Sequence, residues 1–565
     1  MKTRTGSGAA AIGCPAARGV RRAAIALLVL ACGPLSLPVS AQTEPGEEAV
    51  ARMTQMGIAP PASAPDRRDG EGAGPFRRMV IRGATLIDGT GAPPYGPVDV
   101  VISGERILEV RAVGSPGVPI DPAGRPSAGD FEIDAEGKYL LPGFIDSHAH
   151  IGNLLQGLTG PIPEPEYIFK LWLAHGITTV RELGAGMGLG FTIAHKRRAE
   201  RHEIAAPRLF VHAAFPTSIV DPGAARDWVR AVRKKGADGI KFFGAPPEVI
   251  RAAIDEARKL GMKTAFHHAQ LAVARIDVLD SARMGLDSME HWYGLPEALF
   301  TDRTIQAYPA DYNYYDEQHR FGEAGTLWQQ AAPRGSDRWR EVIAELVGLD
   351  FTLSPTLTIY EANRDVMRER NADWHEGYTL PGLRRFFEPN RRAHGSYHFD
   401  WTTADEVAWR QNFRIWMDFL VDYKNAGGRV TVGSDSGFIY KLFGFGYVRE
   451  LELLQEAGFH PLEVLRAATL SGAELLGAAQ DLGSIEPGKI ADLVLIDENP
   501  LANFKLLYGT GHRRLDDATG EMRRVGGVDR VIAGGVVYDA RALLADVAAM
   551  VAAAKAKEAA QGGRE

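Results

Sequence analysis

The sequence predicts an α/β protein: a (β/α)8 TIM barrel carrying a small β-sandwich domain assembled from both flanking segments. Three observations lead there. Short apolar, β-branched runs end on polar residues at near-regular intervals. Helical patterns fill those intervals, and the segments outside this rhythm hold short strands with glycine turns. Strands alternating with helices imply a parallel sheet.

The elements follow in chain order. Residues 1–41 read as an export signal: arginines end at Arg22, an apolar run covers 23–31, and Val39-Ser40-Ala41 fits a small-x-small cleavage site. The run is far short of the ~20 residues a membrane span needs. Cleavage near Ala41 predicts a periplasmic or secreted protein; lipidation at Cys32 is the alternative. Residues 42–76, rich in Pro, Gly, Ala and charge, are expected to form a flexible leader. Residues 77–140 and 477–540 are the two parts of the expected sandwich, with strand-like runs at 79–88, 98–102, 491–496 and 530–537. Residues 541–565 suit an Ala-rich helical tail.

Residues 141–476 form the predicted barrel. Strand-like runs occupy 140–148, 177–182, 208–212, 239–241, 264–267, 286–291, 351–354 and 430–435. From His150, the polar residues Glu182, His212, Lys241, His267 and His291 follow at steps of 32, 30, 29, 26 and 24 residues, each about one strand–helix–strand unit. Helical patterns such as 246–260, stopped by Gly261, lie between. No Gly-x-Gly-x-x-Gly turn follows the first strand, which argues against a doubly wound open sheet. Two steps are long, 63 residues to Ser354 and 81 to Asp435, and predict insertions near 293–345 and 360–425. These hold Trp328, Trp339, Trp374, Trp401, Trp409 and Trp416, either as cores of their own or as lids over the strand ends.

Composition narrows the chemistry. The 565 residues are 45% hydrophobic and 24% charged with net charge −7, which suits a globular protein and a small-molecule substrate and argues against nucleic-acid or membrane-surface partners. The only cysteines are Cys14 and Cys32, so nothing beyond them supports a disulfide scaffold, a zinc finger or a thiol nucleophile. Attention turns to histidine. His148-Ala149-His150 places two imidazoles on one side of a strand end, able to share an ion. About 0.4 such pairs arise by chance in this composition, so the pair needs company. His267 and His291 end two later strands, Lys241 ends the one before them, and Asp435 ends the last. Singly, each histidine reads as well as a core residue, Lys241 as an ion-pair partner and Asp435 as a turn cap. Together at one rim they read as metal ligands. His212 and His268 read as supporting or structural groups, and His268 is also a secondary candidate for substrate contact.

Here the sequence resembles the amidohydrolase superfamily, and within it the imidazolonepropionase-related branch that includes metal-dependent dipeptidases and prolidases. The matching segments are Leu141-Pro-Gly-Phe-Ile-Asp-Ser-His-Ala-His150, Gly176-Ile-Thr-Thr-Val-Arg-Glu182, Gly236-Ala-Asp-Gly-Ile-Lys241, Gly285-Leu-Asp-Ser-Met-Glu-His291, Gly433-Ser-Asp-Ser-Gly437 and Leu482-Gly-Ser-Ile-Glu-Pro-Gly-Lys-Ile-Ala-Asp-Leu493. The resemblance implies two divalent metal ions, zinc fitting the donors best, with His148, His150 and Asp435 on one and His267 and His291 on the other. It implies that Lys241 bridges them as a carbamate formed with carbon dioxide. It further implies hydrolysis of an amide or related C–N bond by a metal-bridged hydroxide, with Asp435 moving the proton. Lactone, carbamate or cyclic-amide hydrolysis on the same site, and a non-catalytic binding barrel, are the alternatives. Gln270 stands where deaminase-like members carry Glu, Ala269 where branch members often have Gly, and Glu182 where Asp is commoner. For a substrate carboxylate, Arg391 or Arg392 is the expected partner, a solvated surface pair being the plainer reading.

Overall fold

A computed structural model describes residues 45–391 and 394–562. The expected signal, the Cys32 anchor and Arg392 lie outside the described residues. The architecture is α/β. Eight parallel strands follow one another in strict sequence order: Phe144–Ala149, Ile177–Gly184, Arg208–Ala214, Gly239–Phe242, Lys263–Phe266, Ser288–Glu290, Thr352–Ser354 and Arg429–Val430. Backbone bonds from Ser147 N to Val432 O (2.9 Å) and from Asp435 N to His148 O (2.8 Å) join the chain just past the last strand to the first. The result is a TIM-barrel-like domain.

The helices between strands form for local reasons. Pro222–Lys235 starts on Asp221, whose carboxylate accepts from Ala224 N, and stops at Gly236, whose φ of 113° suits glycine. Pro247–Lys259 buries Val249, Ile250, Ala253, Ile254 and Ala257, one helical stripe, against the strands. Both insertions are helical where regular, and the longest of their helices, Thr403–Asn425, turns Trp409, Phe413, Trp416 and Leu420 inward. Their aromatic side chains join the barrel core instead of forming a separate one.

The two flanks meet in one sheet. Its path runs Val536–Asp539, Val528–Ala533, Leu493–Ile496, Tyr139–Pro142, Met79–Leu86, Tyr95–Ser103 and Arg106–Ala112, with Phe131–Asp134 beside Met79–Leu86. The junction is the antiparallel pairing of Tyr139–Pro142 with Leu493–Ile496. Alternation divides the labour: Leu493 and Leu495 enter a core private to this sheet, while Val494 and Ile496 enter the barrel core. All eight strands are hydrogen-bonded into a single sheet, and the two facing sheets of a sandwich are not distinguished in it.

The flexible leader expected at 42–76 is corrected over its described part. Pro45–Gln55 is a helix, and the segment after it is tied down by polar partners. Ala64 N donates to His195 Nε2 (3.1 Å), Arg198 donates to Ala64 O (2.6 Å), and Ala73 bridges to Val537. Low hydrophobicity misled here because the anchoring comes from polar and charged partners. Chief among these is Lys170, fully buried, with Glu71 (2.6 Å), Glu166 (2.8 Å) and Asp546 (2.6 Å) around its ammonium. Asp546 belongs to the C-terminal helix Ala540–Gly562, which packs on Pro165–Ala174. Among the described residues no helix is long and apolar enough to cross a membrane.

Candidate metal centre

The carboxyl ends of the barrel strands converge. His148 Nε2 lies 3.6 Å and His150 Nε2 3.1 Å from Asp435 Oδ1, and His291 Nε2 lies 3.8 Å from Asp435 Oδ2. Two ligand atoms on one tetrahedral ion sit about 3.4 Å apart, so these separations suit a shared cation. Ligand atoms of His148, His291 and Asp435 all fall within 4.8 Å of one another. The His267 ring adjoins, 4.6 Å from that of His291.

Hydrogen bonds select the imidazole tautomers. Glu290 is held below the usual carboxylate range: burial pushes it up, but the charges of Arg181 and Lys241 outweigh that. His148 Nδ1–H therefore donates to Glu290 Oε2 (2.8 Å), leaving Nε2 a lone pair. Thr356 gives its hydroxyl proton to Pro355 O (2.6 Å), so its oxygen accepts from His291 Nδ1–H (2.6 Å), and Nε2 is again free. Burial, with neighbouring positive charge, depresses the pKa of His148, His267 and His291 far below the ordinary value and keeps them neutral as ligands must be. At His150 burial acts the same way, but Asp435 and Glu182 outweigh it and raise the pKa to about 9.

The backbone pays for this geometry with strain. His291, Thr356 and Asp435 all have left-handed φ (66°, 51° and 47°), unfavourable for non-glycine residues and most so for β-branched Thr356. Asp146 helps hold the Asp435 turn, accepting from Ser434 N (2.9 Å), Ser434 Oγ (2.6 Å) and His148 N (3.2 Å). At Gly433 a Cβ would stand 2.7 Å from that of His148, so only glycine lets the last strand end approach the first.

Lys241 is buried with its Nζ 5.4 Å from the Phe243 ring centre, and among the described residues no carboxylate lies within ion-pairing distance of it. Burial lowers its pKa to about 8, only partly offset by the more distant charges of Glu290 and Asp435. Below it, Arg181 donates to Ser147 O (2.5 Å), Ser288 Oγ (2.9 Å) and Glu290 Oε1 (2.7 Å), binding three strands together. The neutral imidazoles of His148, His267 and His291 with the carboxylate of Asp435 are donors that fit a divalent cation.

Aromatic rings surround the histidines. Phe438 meets His150 (6.3 Å), Tyr360 meets His291 (5.7 Å), and Phe243 and Tyr293 meet His267 (5.7 and 6.3 Å between centroids). Tyr293 and Tyr360 belong to the insertions, which thus both share the barrel core and cover the strand ends.

Other candidates are placed elsewhere. His268 faces away, stacked on Phe266 (3.9 Å) and bonded to Ser281 Oγ (2.9 Å), because adjacent residues at a strand end point to opposite sides. Arg391 is exposed and paired with Asp400 (2.8 Å), as a solvated surface group. His212 is buried, away from the candidate ligands, and burial holds its pKa far below the ordinary value. Reading the sequence missed Glu290, Arg181, Asp146 and Thr356. The available signal was period two: Glu290 shares a face with Ser288, and Asp146 with His148.

Comparison with known proteins gives the same direction. A model of the Amidohydrolase family matches residues 139–308 and 417–537. An N-acyl-D-aspartate deacylase from Alcaligenes xylosoxydans xylosoxydans is 33% identical over 160 residues, 28% of this chain and 26% of that protein. A 5-methylthioadenosine/S-adenosylhomocysteine deaminase from Symbiobacterium thermophilum is 27% identical over 197 residues, 34% of this chain and 39% of that protein. The chain thus spans between about a quarter and two fifths of these relatives. Among solved structures, a Xaa-Pro dipeptidase with bound methionine in its active site aligns over 82% of this chain and all of its own (TM-score 0.53, 19% identity). A bottromycin amidohydrolase aligns over 91% and 94% (TM-score 0.58, 19% identity). At these identities the likeness to the solved structures is one of fold.

Proposed function

Because the chain belongs to the amidohydrolase family, we propose that it hydrolyses an amide or related C–N bond of a small molecule such as a dipeptide or N-acyl amino acid. The observation that carries this reading is the meeting of three imidazole Nε2 atoms around the carboxylate of Asp435. His148, His150 and Asp435 would hold one divalent cation and His267 and His291 a second, with zinc the best match to the donors. Such cations make water acidic enough to attack near neutral pH and polarise the scissile carbonyl.

The chain's own residues supply the rest. Asp435, with Oδ1 toward His150 and Oδ2 toward His291, accepts a proton from the attacking water and returns it to the leaving nitrogen. The amide becomes a carboxylic acid and an amine without an acyl-enzyme. Lys241, a buried amine without an ion-pair partner, reacts with carbon dioxide: a nitrogen–carbon bond forms, a proton leaves, and the carbamate offers two anionic oxygens that an ammonium lacks. The collar of Phe243, Tyr293, Tyr360 and Phe438 restricts bulk water at the strand ends. The amide of Gln270, in place of a carboxylate, favours hydrolysis over ring deamination. Export through residues 1–41 completes the proposal; N-terminal sequencing of the secreted or periplasmic protein, expected to begin near Gln42, tests it.

Chelation should abolish turnover and zinc should restore it. Asp435→Asn should keep most of the metal and lose about 10²- to 10⁴-fold in kcat. Full activity in that variant overturns the role of Asp435. Failure to hydrolyse any member of a panel of dipeptides, N-acyl amino acids, lactones and carbamates overturns the reading itself.

A further inference from the structure

Arg320 lies on the insertion helix Glu317–Ala324 and is only 6% exposed. Its guanidinium stands 4.8 Å from the Tyr314 ring centre and 4.6 Å from that of Phe321. Its ion-pair partner is Glu317, at 3.2 Å, and Glu317 is itself shared with His394 at 2.8 Å. A guanidinium has five N–H donors in a planar fork, and one shared carboxylate oxygen engages few of them.

The position of this cation matters. Phe321 touches Tyr360 (6.5 Å), and Tyr360 touches His291 (5.7 Å), so Arg320 sits two ring contacts from the metal histidines. On the other side, His394 contacts Phe438 (5.7 Å), which contacts His150. The hydroxyls of Tyr293, Tyr308 and Tyr312, from the strand end and loop leading to this helix, are buried, Tyr293 facing Tyr360 and Tyr308 facing Gln270, while that of Tyr312 has no hydrogen-bond partner among the described residues. A buried donor left unmatched is costly unless something binds to it.

We propose that Arg320 is the specificity residue that binds the carboxylate of an anionic substrate, with the tyrosine hydroxyls as further donors. The inference rests on the hydrolase reading above and narrows its substrate class to amides bearing a free carboxylate, such as dipeptides and N-acyl amino acids. Glu317 keeps the fork oriented, and the carboxylate takes the donors that Glu317 leaves open.

The test compares kcat/KM for an N-acyl amino acid with that for its primary amide, in which the carboxylate is replaced by CONH₂. The wild-type protein should prefer the acid. In Arg320→Met the preference should fall by about 10- to 100-fold, and Arg320→Lys should restore part of it. Equal wild-type rates on acid and amide overturn the proposal while leaving the hydrolase reading intact, and so does an unchanged preference in a folded Arg320→Met protein. If Arg320→Met does not fold, the wild-type preference and the Arg320→Lys ratio still decide. No turnover of either compound by the wild-type protein points instead to failure of the underlying reading.

Discussion

Lys170 and Lys241 are both buried, yet the two regions around them shift the proton affinity of the same side chain in opposite directions. Lys170, in the barrel wall, has three carboxylates within 2.8 Å, and their attraction outweighs burial and raises its pKa. Lys241, at the barrel mouth, has no ion-pair partner, and burial wins, lowering its pKa to about 8. One is a permanent cation that ties three segments together. The other gives up its proton more readily than an ordinary lysine. Burial alone does not define a functional lysine; the placement of the nearest carboxylates does.

The strongest way to break this contrast is to remove each amine. Lys241→Met should cost at least about 10³-fold in turnover, roughly 4 kcal/mol of transition-state stabilisation, with the thermal midpoint held or raised. Lys170→Met should retain turnover but lose about 2–4 kcal/mol of stability, because three carboxylates lose their buried cation and keep only the exposed Arg68, and Asp546 is partly hydrated. A Lys170 variant that stays folded but loses turnover, or a Lys241 variant that unfolds, would reverse the assignments.

A pH series on the metal-free protein sharpens the comparison. The folded pKa of Lys241 is below its unfolded value, so between pH 8 and about 10.5 the unfolded chain binds the extra proton and stability rises with pH, by roughly 3 kcal/mol in all. For Lys170 the folded pKa is raised, so its contribution is complete below about pH 10.4 and is lost as pH climbs through the folded value. Denaturant titrations of wild type against each Met variant should show slopes of opposite sign. Slopes of one sign would contradict the contrast.

A smaller effect tests what stands behind the ligands. Glu290→Gln should weaken metal affinity about 10- to 100-fold, through loss of the tautomer control on His148 and of a charge facing Lys241 and Arg181. Calorimetric zinc titration measures it, and unaltered affinity would show that the His148 geometry is set by packing alone.

Much of this was legible in the sequence because strands have period two. Polar residues ending apolar runs at regular steps marked the rim, and His148, His150, His291 and Asp435 do lie together there, with His267 adjoining. Arg181 was not legible, because a charge inside a strand looks like an interruption until three strands are seen to share it. Thr356 gave no sign, since nothing local forces a threonine into left-handed backbone. The docking of residues 64–73 depends on His195, Arg198 and Val537, too far away in sequence for composition to register. Arginine type alone chose Arg391, whereas burial beside the ring collar distinguishes Arg320.

The seam between Tyr139–Pro142 and Leu493–Ile496 has a consequence for biogenesis. Its partners are separated by about 350 positions, so a ribosome must add that many residues after the first partner before the small sheet can close. Until then the early strands expose unpaired edges, the feature that makes incomplete sheets prone to mispairing.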